Sequence, residues 1–316
     1  MSDISPSTES PVLVIGSAGI DIVGRLLNQS QRGTSNPGHI RTSFGGVARN
    51  VAENLARLDQ PVTLISVVGR DSAGDDLLDQ LNNVGVDVSA VMQTTEYSTG
   101  TYLGIVNSIG ELQFGIDDIR ATSLLTSDYI RKHFDLFKKA SLVFFDANLE
   151  EDTIKTVISL ARRAQLRVCA DPTSALLADR LCPYISYLSL ITPNKTEASI
   201  LCRNSLEASQ SKEAMKTAKF LIGQGAKVVL ITLAEFGVVY ATSETSGHIP
   251  AIRTKILDPT GAGDALTATV IFSMLNNISL DDGVRLGVSA ASLTLDYPGS
   301  VRPDLSLEML YDHLVI

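Results

Sequence analysis

Short, wholly apolar runs alternate with amphipathic stretches along most of this chain, and that alternation restricts its fold more than any other feature. Residues 11–15, Pro-Val-Leu-Val-Ile, form a continuous apolar run that stops at Gly16. A strand buried on both faces requires such a run, whereas a strand with one wet face would alternate. Residues 62–67 repeat the pattern, and between the two runs Val47, Val51, Asn54, Leu55 and Leu58 recur at helical spacing. Further strands are expected at 142–146, 167–171, 188–192 and 228–232, with shorter ones at 237–241 and 249–252. Helices are expected at 73–84, 151–164, 195–201, 211–223, 265–275, 280–295 and 307–314. Strand and helix in this order predict an α/β fold: a mostly parallel central sheet, right-handed crossovers, and helices on both faces.

One region departs from the pattern. Residues 98–107 and 111–116 read as two strands around a short turn, which fits poorly into a parallel sheet. With strand-like stretches near 20–26 and 38–44, the region 86–118 predicts a small antiparallel β lid. An open sheet of this kind leaves edges and an apolar face uncovered, so a homodimer through the lid is expected. Residues 1–10 are polar and read as a flexible tail, leaving 11–316 as a single domain.

Composition removes several function classes. A net charge of −9 over 316 residues disfavours a nucleic-acid partner, which needs a basic face. No apolar run approaches the roughly 18 residues of a membrane helix, so no membrane partner is expected. Cys169, Cys182 and Cys202 lack any paired spacing, which argues against a disulfide or zinc framework. The first ten residues lack the basic and apolar regions of a signal peptide, and a cytoplasmic location is expected.

The loops that follow the strands carry Asp21, Asp146 with Asn148, Asp171, Asn194 with Glu197, Thr232, and the segment from Asp258 to Asp264. Loops at the carboxyl ends of parallel strands meet along one edge, where α/β folds bind ligands. Asp258-Pro259-Thr260-Gly261-Ala262-Gly263-Asp264 runs directly into the helix expected at 265–275. A Gly-Ala-Gly turn entering a helix presents unpaired N–H groups at the positive end of the helix dipole, a natural anion site. Taken alone, the acid there serves equally well as a simple cap. Together the positions match the needs of phosphoryl transfer: a base near a hydroxyl, donors for phosphoryl oxygens, and a metal held through water and phosphates. Asp264 is the candidate base, the 261–263 amides are the donors, and Asn194 with Glu197 could organise a hydrated Mg²⁺. Neither a Walker A loop nor a GxGxxG fingerprint is present.

DPTGAGDALTATV resembles the C-terminal signature of the ribokinase-like (PfkB) carbohydrate and nucleoside kinases, and GGVARNVAENLARL resembles their N-terminal one. Pro193-Asn194-Lys195-Thr196-Glu197 is similar to the family's N-x-x-E motif. The resemblance implies a ribokinase-like fold and an ATP- and Mg²⁺-dependent kinase of a small sugar or nucleoside. It implies Asp264 as the base that takes the acceptor hydroxyl's proton, with Gly261, Ala262 and Gly263 as the anion hole. Asp21, Gly45, Gly46 and Asn50 match sugar-binding positions. Thr232 opens the nucleotide phosphate loop, which continues to Gly237. Asp258 and Thr260, with carbonyls from 294–303, match positions near which many members bind a monovalent cation such as K⁺.

Within the family, GGVARNVAENLARL, TGTYLGIVNSIGELQFGIDDI and ADPTSALLADRL resemble the pseudouridine kinase group more than ribokinase or fructokinase. Two positions depart from the family's habit. Gly19 stands where ribokinases carry Asn, and Ala234 stands where the phosphate loop carries Gly. A ligand sensor built on a decayed kinase fold is disfavoured by the retention of both Asp264 and the Gly-Ala-Gly turn.

Overall fold

The chain enters through β1 (Val12–Ile15), whose four residues are all buried, and leaves the main sheet at once for two long strands, β2 (Gly19–Leu26) and β3 (Gly38–Gly45). This computed structural model describes residues 10–109, 112–203 and 211–314. Helix α1 (Val47–Arg57) returns the chain to β4 (Val62–Gly69), and α2 (Ser72–Asn83) leads on to β5 (Val86–Thr94). The chain departs again through β6 (Gly100–Val106) and β7 (Leu112–Asp118), and α3 (Ser127–Lys132) and α4 (Phe134–Lys139) precede β8 (Leu142–Asp146). Then follow α5 (Glu151–Arg163), β9 (Arg167–Asp171), β10 (Leu190–Ile191), α6 (Lys195–Leu201), α7 (Ser211–Gly223) and β11 (Val229–Thr232). A hairpin of β12 (Val238–Ala241) and β13 (Ser246–Ile249) precedes α8 (Ala262–Leu275), α9 (Leu280–Leu295) and α10 (Leu307–Asp312).

Nine strands form the main sheet in the order β13-β12-β11-β10-β9-β8-β1-β4-β5. All neighbours are parallel except the β11–β12 and β12–β13 pairs. The continuous apolar runs are explained by burial on both faces. Val12 and Val14 join the core shared with α1, α8 and α9, while Leu13 and Ile15 join the opposite core shared with α5 and α7. Each such side chain contributes about 1.5–3 kcal/mol on burial. Helix α8 is buried nearly all round, from Ala265 to Phe272, and α1 and α9 pack against it. Its small, apolar sequence suits that central position.

The second sheet has the order β3-β2-β6-β7. Its outer pairs, β2–β3 and β6–β7, are antiparallel, and its central pair, β2–β6, is parallel. One expectation needs correction here. Residues 86–94 do not belong to the lid: β5 lies parallel to β4 at the edge of the main sheet. A crossover through α2 delivers it there. Because an edge strand is buried on one side, exposed Asp87 and Ser89 alternate with buried Val86 and Ala90, a pattern that resembles a lid strand. Residues 17–21, expected as a loop, already contain the start of β2 at Gly19. The final hairpin strand lies at Ser246–Ile249 rather than 249–252. Most of the expected tail, and Gly110 in the lid turn, fall outside the described residues.

Among the described residues no helix is long and apolar enough to cross a membrane. The cysteines are free thiols.

Candidate active site

Adjacent parallel strands end side by side, and their ends bring the sequence-predicted positions together. Asp146 closes β8, Asp171 closes β9, Asn194 follows β10, and Thr232 closes β11, where it forms a bridge with Asn194. Helix α8 points its amino end at this edge. Thr267 on α8 donates to the Thr192 hydroxyl at 3.1 Å, and Thr192 donates to Asp171 Oδ2 at 3.0 Å, which ties the helix to the strand ends.

Gly261 caps α8 in the left-handed region, at φ 78°, and no side chain caps the helix. A Cβ at Gly261 would collide with the carbonyl oxygen of Ser300, so only glycine fits. The N–H groups of Ala262, Gly263 and Asp264 therefore open the helix without intrahelical acceptors. A Cβ placed on Gly263 would meet nothing within 4 Å, so an anion can approach these amides closely. Asp264, in the same first turn, accepts a hydrogen bond from Asn50 Nδ2 at 2.8 Å. Burial pushes its pKa up to about 7; Asn50's hydrogen bond opposes the shift, Asp21 and Asp146 add to it, and Arg49 opposes it. A carboxyl poised near neutrality can accept a proton from a hydroxyl and release it again.

Asp21, on β2, is 7% exposed, and its carboxylate leans across the backbone of Gly45. Burial pushes its pKa up to about 6, with a further rise from Asp258 and opposing effects of Arg49 and Arg41. A Cβ on Gly45 would strike the Asp21 carboxylate and one on Gly46 the backbone of Ser17 and Ala18, so the two glycines let this turn pack closely under Asp21. Asp21 and Asp264 lie near enough for their charges to interact, and two such carboxylates suit hydroxyl donors. Asn50, expected at a sugar-binding position, is also tied to protein groups. Its Nδ2 bonds Asp264, its Oδ1 accepts from Arg49 Nη1 at 2.9 Å, and the Ser300 oxygen lies 3.1 Å from that Oδ1. Asp146 is scaffold: its fully buried carboxylate accepts from Ser17 N at 2.8 Å, Ser17 Oγ at 2.7 Å and Ala48 N at 3.0 Å. It thereby pins the Gly45-Gly46 turn and the start of α1 to the sheet.

Asn194 and Glu197 form a reciprocal capping box on α6. Glu197 N donates to Asn194 Oδ1 at 3.0 Å, Asn194 N to Glu197 Oε2 at 2.8 Å, and Asn194 Nδ2 to Glu197 Oε1 at 2.6 Å. Burial raises the pKa of Glu197, and burial with the charges of Glu197 and Asp264 raises that of Asp171 well above the carboxylate range. Burial favours the neutral form of these carboxyls, and a divalent cation brought near them would draw them into the ionised form. With both Glu197 oxygens engaged in the cap, such a cation fits best through water and phosphate oxygens. Among the described residues no three His, Cys, Asp or Glu side chains converge to ligate a metal directly.

A cavity of about 950 Å³ extends from Ala262 and Gly263 past Thr232, Ala234 and Gly237 to Ile252, Val288 and Leu295. Its walls are mainly apolar, and the amino end of α8 opens into it at Ala262 and Gly263, an arrangement suited to a nucleotide with its phosphates at the helix terminus. Gly237 has φ 89°, and Ala234 adopts φ 51°, the left-handed conformation that glycine would take without strain.

Three participants were missed in the sequence. Arg41 on β3 forms an ion pair with Asp258, which is 2% exposed and also accepts from Thr260 N at 3.0 Å. Arg49 is buried beside Asn50, and Ser300 donates to the Phe44 carbonyl. The two arginines were visible as charges inside or beside a glycine signature, where helix periodicity alone assigns them to solvent.

The pattern of the pfkB family carbohydrate kinases matches residues 10–306. The chain is 30% identical to a pseudouridine kinase of Escherichia coli (strain K12), covering 94% of both chains. It is 28% identical to a guanosine-inosine kinase of Exiguobacterium acetylicum, covering 89% of this chain and 93% of the relative. In fold it is similar to an Arabidopsis thaliana ribokinase solved with ribose and ATP, at a TM-score of 0.83 and 22% identity over 97% of this chain and 99% of that one. On the match across nearly its whole length, with the anion-hole turn and its aspartate in place, this chain belongs to the pfkB family of carbohydrate kinases.

Proposed function

We propose that this protein transfers the γ-phosphoryl group of ATP to the 5′-hydroxyl of pseudouridine, giving pseudouridine 5′-phosphate and ADP. One observation carries the reading: Asp264 stands in the first turn of α8, next to Gly263, which lines the cavity, and within reach of the charge of Asp21. The 30% identity to a pseudouridine kinase over 94% of the chain favours that acceptor. A second reading keeps the chemistry and changes the acceptor to ribose, fructose or a purine nucleoside such as adenosine. The guanosine-inosine kinase at 28% identity and a Mus musculus ribokinase at 27% favour it.

In this reading Asp21 receives sugar hydroxyls while Gly45 and Gly46 permit close approach. Asp264 removes the proton of the attacking hydroxyl, and the amides of Ala262, Gly263 and Asp264 meet the charge that develops on the transferred group. Thr232 and Gly237 flank the nucleotide phosphates. Mg²⁺ neutralises phosphate charge when bound, held through water near Asn194 and Glu197. Asp258 and Thr260 would hold K⁺ when it is bound, and the cation would supply positive charge beside the buried Asp258 carboxylate. The protein works as a homodimer through the lid, in the cytoplasm, where ATP is abundant.

The test is a panel of pseudouridine, uridine, adenosine, ribose and fructose with Mg·ATP, run beside Asp264→Asn. Pseudouridine should give the highest kcat/KM by at least about 10-fold, the ratio of a 1.4 kcal/mol difference. A higher value for another acceptor replaces the substrate and keeps the kinase. Near-normal turnover by Asp264→Asn removes the assigned base.

A further inference from the structure

Helix α1 carries a buried charge that the steps above leave unused. The Arg49 side chain is 3% exposed and lies between Asn50 and Glu53. Its Nη1 donates to Asn50 Oδ1 at 2.9 Å and to the Phe44 carbonyl at 3.3 Å. Its Nη2 meets Glu53 and donates to Gln80 Oε1 at 2.9 Å. Glu53 is itself held by Arg57 Nε at 2.8 Å and Gln80 Nε2 at 2.7 Å, so the guanidinium is locked from α1, α2 and the end of β3. Burying an arginine this completely is costly, and a cap or surface bridge would not require it.

The Asn50 amide has two orientations, and its neighbours choose between them. Ser300 has one hydroxyl proton and a nearer acceptor in the Phe44 carbonyl, so Arg49 is the donor on which Asn50 Oδ1 depends. With the amide reversed, two donors would face each other at Arg49 and an amide oxygen would face the Asp264 carboxylate. We propose that Arg49 is a positioning residue for phosphoryl transfer. By donating to Asn50 Oδ1 it fixes the amide orientation in which Nδ2 holds Asp264 Oδ2, leaving Oδ1 of that carboxylate for the acceptor hydroxyl. The inference rests on the reading of Asp264 as the base.

Arg49 also acts on Asp264 by its charge. The groups facing Asp264 are Asn50 and Arg49 from α1, Asp21 from β2, Asp146 from β8 and Asp171 from β9. Arg49 is the cation among those charges, and its removal raises the carboxyl's affinity for a proton.

Arg49→Met, Asn50→Ala and the double variant form the test, each checked for a native unfolding transition. Arg49→Met should lower kcat on the order of 10- to 100-fold with acceptor KM within about threefold, the scale of a misoriented base. The double variant should be no slower than Asn50→Ala alone, because Arg49 acts through Asn50. The ¹³C titration of the Asp264 carboxyl, identified by its loss in Asp264→Asn, should move to higher pH in Arg49→Met whatever the acceptor. Arg49→Gln, which keeps a donor near Asn50 without the charge, should recover part of kcat while the titration stays shifted. Losses that multiply in the double variant, or an unmoved titration, overturn the inference. If Asp264→Asn retains turnover the base assignment fails; if that variant is dead and the Arg49 variants are normal, this inference alone fails.

Discussion

The guanidinium of Arg41, on the lid, meets the buried carboxylate of Asp258, at the approach to the anion hole, across 217 positions of sequence. Arg41→Met leaves Asp258, at 2% exposure, without its cation. Because the arginine is itself about a third exposed, we expect a loss of roughly 1–3 kcal/mol, below that of a fully buried pair. The urea midpoint measures it. If K⁺ binds at Asp258 as proposed, the same substitution would leave it as the counter-charge there. Stimulation of kcat by K⁺ over tetramethylammonium should be larger in Arg41→Met than in the native protein, and equal stimulation would remove the cation from Asp258.

Asp264 sets the pH behaviour in two ways. If Asp264 is the base, as proposed, it must be ionised, so kcat/KM should rise with pH through about 7 and level above it. Its folded pKa lies above the unfolded value of 3.8, so between those pH values the folded state binds the extra proton. Stability therefore falls as pH rises from about 4 to about 7 and flattens beyond. Asp264→Asn removes this component and should melt a few degrees higher than the native protein at pH 8. Equal melting temperatures at pH 8 would contradict the shift.

Ala234 holds a left-handed conformation that costs a side-chain-bearing residue about 1–2 kcal/mol. Ala234→Gly removes that strain and adds a smaller entropy cost in the unfolded chain, about 0.5–1 kcal/mol. A net gain near 0.5–1 kcal/mol is expected, with KM for ATP unchanged or lower. Destabilisation by glycine would mean that the methyl group's packing outweighs its strain.

The outer face of the lid exposes Ile40, Phe114 and Ile116 at 79%, 67% and 64%. Apolar groups clustered on a sheet face mark an interface. Sedimentation at micromolar concentration should find a dimer, and Phe114→Glu with Ile116→Lys should yield a folded monomer. A native protein that sediments as a monomer removes the lid dimer.

Much of the fold was legible because burial on both faces leaves a direct trace: the run at 11–15 is apolar throughout, those at 62–67 and 142–146 are interrupted only by Thr63, Ser66 and Asp146, and each is a parallel strand inside the main sheet. Strand β5 was misread because an edge position produces the same alternation as a lid strand. The Gly-Ala-Gly turn was legible because its conformation admits few residues. The partner of Asn50 was not, since its bond to Asp264 joins positions 214 residues apart and depends on how α1 packs against α8. Asn194 and Glu197 were recognised as a pair, but three-residue spacing serves a metal site and a capping box equally, and their mutual bonds appear only in three dimensions.

Only Gly46 separates the last residue of β3 from the first of α1, the helix that carries Asn50. The lid is thus a direct extension of the helix whose Asn50 bonds Asp264. Under the proposed kinase reading, an acceptor that moved β3 would also shift Asn50, and with it the Asp264 carboxylate, while water, too small to engage the lid, would not.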